Sequence, residues 1–184
     1  MKQLAFALAL TGTCVLGFSV SANPASALET YEAQMAASDA ASQARVDMLE
    51  AFGPKPLKPG QYLWRDVPAS AGSERVVISL ADQMAYLYRG ETLVAASTIS
   101  SGRDDKPTPD GVFSILSKTP MWRSKKYDNA PMPFAQFFDP AGIAMHAGYN
   151  PGVPASHGCI RLPMAFAKKL YGVTDVGTPV YIGG

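Results

Sequence analysis

The residues best suited to chemistry crowd into one stretch of the chain. Cys159 stands in the run Ser156-His157-Gly158-Cys159-Ile160-Arg161, and the two histidines of the sequence, His146 and His157, both lie within fourteen residues of it. A thiol becomes a useful nucleophile when a base or cation draws off its proton, because an ordinary thiol is ionised to only roughly a few per cent near neutral pH. If Ser156 to Cys159 is extended, His157 and Cys159 share a face, whereas His146 must reach the thiol from the end of a neighbouring strand; by this geometry either histidine can be the base. Gly158 lets the backbone approach a substrate carbonyl, and its N–H together with that of Cys159 could hold a developing oxyanion. Arg161, two residues further on, suits a substrate carboxylate. Two other readings stay open at this point. His146, His157 and Cys159 could be three zinc ligands with water as the fourth, although their spacing matches no ligand signature. Alternatively both histidines are structural and Cys159 is a buried, inert thiol.

The amino terminus bears on that choice. Met1-Lys2-Gln3 supplies a positive charge, Leu4 to Val20 is an apolar run, and Ala25 and Ala27 form an Ala-x-Ala pattern. These are the parts of a signal peptide, expected over residues 1–27, with cleavage after Ala27 or, as a second choice, after Ala22. The alternative is a retained membrane anchor, for which the tract is near the lower length limit. Lipidation at Cys14 is disfavoured because Thr11-Gly12-Thr13 lacks the apolar residue that opens a lipoprotein box. Loss of the signal segment removes Cys14, so Cys159 becomes the only cysteine of the mature chain. A lone thiol in an exported protein suggests a reactive role.

The elements that must position these residues read as mainly β. The chain has 184 residues, 47% hydrophobic and 17% charged, enough for one core and too short for two large domains. A net charge of +1 with dispersed basic residues argues against nucleic-acid binding. Leu28 to Phe52 is rich in Ala, Glu, Gln and Met and is expected to be helical, with Tyr31, Met35, Val46, Leu49 and Phe52 only loosely periodic. Either it spaces the domain from the membrane or it lies over the domain. Gly53 to Gly60, with three prolines, reads as a linker, so residues 28–60 form a helical segment and linker, and the catalytic domain spans 61–184.

Within that domain the spacing predicts strands over Arg75 to Leu80, Gln83 to Arg89, Thr92 to Ser101, Gly111 to Lys118, Phe134 to Phe138, Gly142 to His146 and Thr178 to Ile182, with a helix over Pro163 to Tyr171. Short strands with turns at this spacing suggest a β-sandwich or partly closed barrel with one or two short helices.

Met145-His146-Ala147-Gly148 and Ser156 to Pro163 resemble the L,D-transpeptidase catalytic domain, the YkuD-like family. Lys106-Pro107-Thr108-Pro109-Asp110-Gly111-Val112-Phe113 is similar to the family's threonine-proline-x-glycine segment, and Asn129-Ala130-Pro131-Met132-Pro133-Phe134 to the stretch bordering its cleft. The resemblance covers about Glu74 to Ile182. It implies a periplasmic enzyme of cell-wall biogenesis and cell shape that needs no cofactor or metal. Cys159 would attack the carbonyl before the terminal D-amino acid of a peptidoglycan tetrapeptide, giving a thioester that an amine resolves. That amine would come from a stem peptide, an outer-membrane lipoprotein or a free D-amino acid. Water in its place would make the enzyme a hydrolase, and a relic site would make it a non-catalytic wall module. The resemblance also assigns the base to His146, its other ring nitrogen held by the Ala147 carbonyl, and gives His157, Ser156 and Arg161 supporting and substrate-binding roles. Gly158 and Cys159 would supply oxyanion donors, with Met132 and Phe134 bordering the substrate. Phe134 stands where relatives often carry tyrosine, and the loop Ala147 to Ala155 is short, with Pro151, Gly152 and Pro154 to make it compact.

Overall fold

From Met84 to Arg89, Ala85 and Leu87 alternate with Tyr86 and Tyr88, which suits a strand that presents two different faces to two different partners. The computed structural model describes residues 28–184, so the expected signal segment and its cleavage sites lie outside the described residues. The elements in chain order are α1 (Tyr31–Phe52), β1 (Tyr62–Trp64), β2 (Glu74–Ser79), β3 (Met84–Arg89), β4 (Thr92–Thr98), β5 (Gly111–Ser114), β6 (Ser117–Ser124), β7 (Ala130–Phe137), β8 (Ala144–Ala147), β9 (Ile160–Leu162), α2 (Met164–Val173) and β10 (Pro179–Gly183). They build a six-stranded sheet ordered β1-β4-β3-β2-β10-β5 and a four-stranded sheet ordered β6-β7-β8-β9. Neighbours are antiparallel except β2 with β10 and β8 with β9. The fold is mainly β, with two open sheets rather than a closed barrel.

The main core lies between the sheets. Val76 and Ile78 of β2, Ala85 and Leu87 of β3 and Val180 and Ile182 of β10 face Met145 and Ala147 of β8, Ile160 and Leu162 of β9, and Phe166 and Leu170 of α2. Opposite residues of the same strands, Val77, Tyr86, Tyr88 and Tyr181, pack with Ala41 and Ala44 of α1. The six-stranded sheet is therefore buried on both faces. Each large side chain removed from water in this way contributes about 1.5–3 kcal/mol before ordering costs.

Helix α1 packs through small residues. Its buried stripe is Ala33, Ala37, Ala41 and Ala44, while Tyr31, Met35, Val46 and Leu49 are exposed. The loose periodicity of the large residues thus follows the solvent face, and the alanines carry the helical repeat. The helix backbone comes close to the sheet: a Cβ on Gly183 of β10 would come within 2.6 Å of the Ala37 carbonyl oxygen. Thr30 caps the helix by accepting from the Ala33 N–H, and Gly53 ends it at φ 75°. Leu28 bridges Val112 of β5, so the segment lies over the sheet.

Several boundaries differ from the sequence expectation, and β9 and most of β6 lie outside the expected strands. The run Gly111 to Lys118 is two strands, because the Ile115 N–H bonds Thr178 in the first sheet and the Leu116 N–H bonds Phe137 in the second. Alternation continues smoothly through this crossing and cannot report it. Strand β7 starts at Ala130, four residues before the expected Phe134. Pro131 and Pro133 argue against strand there, but β7 pairs with β8 only at Gln136 and Phe137, so the proline ends lie on an open edge. Helix α2 also runs through Gly172 to Val173, one turn element past its expected exit.

Candidate active site

Parallel pairing of β8 with β9 sets Met145 beside Ile160, His146 beside Arg161 and Ala147 beside Leu162. Met145, Ala147, Ile160 and Leu162 enter the main core. By strand alternation, His146 and Arg161 must face the other way. Cys159 packs there too, against Met132, Ala135 and Ala144. This face forms the floor of a cleft of about 1160 Å³ lined by His146, Cys159, Arg161 and Met132, with Trp122 and Tyr127 among its outer residues.

His146 is buried, and its Nδ1 lies 2.8 Å from the Ala147 carbonyl oxygen. A carbonyl only accepts, so Nδ1 carries the proton and Nε2 keeps its lone pair. Burial holds the imidazole pKa below its ordinary value; the Ala147 carbonyl partly offsets this, and the positive charge of Arg161 adds to it. Burial pushes the Cys159 thiol up, against the smaller opposing effects of the Ala144 backbone and Arg161. Both shifts favour the neutral forms, His146 as imidazole and Cys159 as thiol.

His157 is placed differently from the extended-strand expectation. His157 and Gly158 form a bend, with Gly158 at φ 113°, so the alternation that would align His157 with Cys159 is broken. The His157 ring is exposed and stacks on Tyr127, from the turn joining β6 and β7, with centroids 4.4 Å apart. Among the described residues no three His, Cys, Asp or Glu side chains gather as metal ligands, so the zinc alternative lacks its ligand set.

The loop that carries Cys159 is clamped from several directions. The N–H groups of Ala155 and Ser156 both donate to the Ser101 carbonyl, and Ser100 exchanges backbone hydrogen bonds with Arg161. Asn150 donates to the Thr98 carbonyl over 2.8 Å. These contacts join the end of β4 to β9, so the two sheets meet at the corner that carries Cys159. Ser156 is buried; its Oγ donates to the Cys159 carbonyl and accepts from the Gly158 N–H at 3.1 Å. The Thr108 hydroxyl donates to the Gly158 carbonyl at 2.8 Å and accepts from the Gly102 N–H at 2.9 Å.

Two sequence expectations are corrected here. The Gly158 N–H is committed to Ser156, so Gly158 contributes its left-handed backbone and not an oxyanion donor. Phe134 does not line the cleft: its ring sits 5.8 Å from that of Tyr171 and packs against the main core, on the opposite side of β7 from Met132. Its backbone, at φ 54°, turns it out of the cleft-facing row. Arg161 lines the cleft and makes no ion pair among the described residues.

Sequence reasoning missed Thr108, Tyr127 and Trp122 as neighbours of the site. Thr108 lay within a recognised segment, but its partner is fifty residues away. Tyr127 and Trp122 sit among Arg123, Lys125 and Lys126, a composition that reads as solvated surface.

The profile of the L,D-transpeptidase catalytic domain (YkuD) matches residues 73–182. No curated protein sequence matches the chain. Among solved structures, an L,D-transpeptidase from Mycobacterium smegmatis superposes with a TM-score of 0.57 at 20% identity, over 61% of this chain and 59% of that one. The L,D-transpeptidase of Xylanimonas cellulosilytica gives 0.56 at 26% identity, over 65% and 64%. L,D-transpeptidase 3 from Mycobacterium tuberculosis, solved with a faropenem-derived adduct, gives 0.55 at 20% identity, over 61% and 60%. The chain thus spans about three fifths of the length of these solved proteins. With the profile covering more than half of the sequence and the same fold in its solved relatives, the chain belongs to the L,D-transpeptidase catalytic domain (YkuD) family.

Proposed function

We propose that the chain is a peptidoglycan L,D-transpeptidase, exported to the periplasm, with Cys159 as nucleophile and His146 as base. The observation that carries this reading is the contact of His146 Nδ1 with the Ala147 carbonyl oxygen at 2.8 Å. That contact leaves a basic Nε2 in the same cleft as the only cysteine of the described chain. Family membership supports the substrate class, and the Lys2 and Leu4 to Val20 signal pattern supports export.

In the first half-reaction the donor is a tetrapeptide stem. The Cys159 sulfur forms a bond to the carbonyl carbon preceding the terminal D-amino acid while its proton passes to His146. The tetrahedral oxyanion is met by the Cys159 N–H. The C–N bond then breaks, and the leaving amine takes the proton from His146 and departs as a D-amino acid. In the second half-reaction an acceptor amine attacks the thioester, gives its proton to His146, and the C–S bond breaks to restore the thiol. A neutral resting pair suits this sequence, because proton transfer accompanies attack and no charge is buried beforehand. Arg161 offers its guanidinium to a stem carboxylate. Met132 forms apolar floor beside the thiol, and the His157–Tyr127 stack closes one end of the cleft.

Incubation of the full chain with a tetrapeptide muropeptide and an amine acceptor, followed by mass spectrometry, tests this reading. The expected product is the cross-linked or exchanged peptide, lost in Cys159→Ala. Uptake of water in place of the amine would identify a hydrolase, and full activity in Cys159→Ala would overturn the assignment.

A further inference from the structure

We propose that Thr108 is a positioning residue that aims the oxyanion donor at the substrate; this rests on the acyl-transfer reading above. Gly158 and Cys159 together carry four backbone polar groups. Three are satisfied inside the loop: the Gly158 N–H by Ser156 Oγ, the Cys159 carbonyl by the Ser156 hydroxyl, and the Gly158 carbonyl by Thr108. The fourth, the Cys159 N–H, donates to no group among the described residues. Buried backbone groups are rarely left unpaired, so an N–H without a partner beside a nucleophile marks a place for an incoming acceptor.

Thr108 determines where that N–H points. The Gly158–Cys159 peptide is trans, as all peptide bonds of the described chain are, so its C=O and N–H point in opposite directions. A hydroxyl that fixes the carbonyl at 2.8 Å therefore fixes the N–H on the far side of the same rigid plane. Thr108 is itself held: it is buried, and it accepts from the Gly102 N–H at 2.9 Å. Gly102 has no room for a side chain, since a Cβ there would lie 2.2 Å from the Lys106 carbonyl oxygen and 2.7 Å from the Thr108 nitrogen. The loop from Gly102 to Thr108 is thus folded tightly so that one hydroxyl reaches across to the nucleophile's peptide. At φ 113° Gly158 permits a peptide orientation that other residues resist. Thr108 touches neither the thiol nor the base, and it acts through the Gly158–Cys159 plane.

The test compares wild type with Thr108→Val, which keeps the shape and removes the hydroxyl, and with Thr108→Ser, which restores it. Two reactions of the same thiol are measured: acylation by imipenem, whose lactam carbonyl develops an oxyanion, and alkylation by iodoacetamide, which develops none. Thr108→Val should slow the acylation step by roughly 10- to 100-fold, toward the loss seen when an oxyanion donor is removed. Its alkylation rate and pH profile should stay at wild-type values, and Thr108→Ser should recover acylation. If valine does not fold, Thr108→Ala removes the same hydroxyl with less bulk and is read identically. Wild-type acylation rates in the hydroxyl-free variant would overturn the proposal, as would a parallel fall in acylation and alkylation. Failure of the wild type to acylate at all would instead take down the acyl-transfer reading, and this role with it.

Discussion

The two sheets of this protein face different surroundings. The six-stranded sheet is covered on one side by α1 and on the other by the main core, so β2, β3 and β4 are buried almost end to end. The four-stranded sheet has one face in that core and the other open to the cleft, and β6 is exposed along most of its length. Polar and ionisable groups follow the same division. In the first sheet the buried tyrosine hydroxyls are tied down or isolated: the Tyr88 hydroxyl donates to Asp47, and burial and Asp82 push the Tyr86 pKa well above its ordinary value. In the second, His146 and Cys159 are desolvated yet border open space. One sheet makes a scaffold, and the other opens the corner that carries His146 and Cys159 to the cleft. The comparison teaches that partial burial sets the site apart: it shifts both groups toward their neutral forms and still leaves them on the cleft.

That contrast can be broken by mutation on either side. Phe166, fully buried among Tyr62, Trp64 and the inter-sheet core, is the strongest test of the scaffold. Phe166→Ala should cost about 3–5 kcal/mol by chemical denaturation, because the transferred ring leaves a cavity that both sheets enclose. A loss below about 1 kcal/mol would mean the core is not shared between the sheets in the way described.

The protonation states give a second test. The His146 pKa lies below the ordinary imidazole value, so its neutral form persists to lower pH. Imipenem acylation should accordingly hold its rate through neutrality and fall only below about pH 6.5. The Cys159 pKa lies above the ordinary thiol value, so less thiolate exists at pH 7. Iodoacetamide should alkylate Cys159 more slowly than free cysteine at pH 7, with the rate still climbing past the ordinary thiol range. Faster alkylation than free cysteine would show a preformed thiolate and contradict the neutral pair.

The smallest effect is expected on the exposed sheet. Trp122 is 46% exposed and touches Phe137 edge-on, so Trp122→Ala should shift stability by no more than about 1 kcal/mol. The same change should raise the concentration of donor peptide needed for half-maximal rate, since the ring lines the cleft. A large loss of stability with unchanged kinetics would assign Trp122 to the scaffold instead.

The same division explains what the sequence could reveal. The β3 and β10 alternation was legible because each of those strands has two faces with different partners, tyrosines toward α1 and smaller residues toward the core. The site's reactive groups were legible because cysteine and histidine are rare and close together in the chain. Their geometry was not, and His157 shows why. Its role depended on whether Ser156 to Cys159 is extended, and the segment bends at Gly158, whose φ of 113° glycine permits and whose peptide groups Thr108 and Ser156 hold. Phe134 likewise was read from its neighbours in sequence, while its ring is committed to Tyr171 some forty residues on. The packing of α1 escaped because its buried stripe is alanine, which carries little hydrophobic signal.

The central claim is that Cys159 is an acyl-accepting nucleophile served by His146. Intact-mass measurement of the full chain after incubation with imipenem, followed by peptide mapping, addresses it most directly. The account predicts one adduct of the drug's mass, located on Cys159, absent from Cys159→Ala and formed far more slowly in His146→Ala. An unmodified wild-type chain, or an adduct that persists in Cys159→Ala, would contradict it.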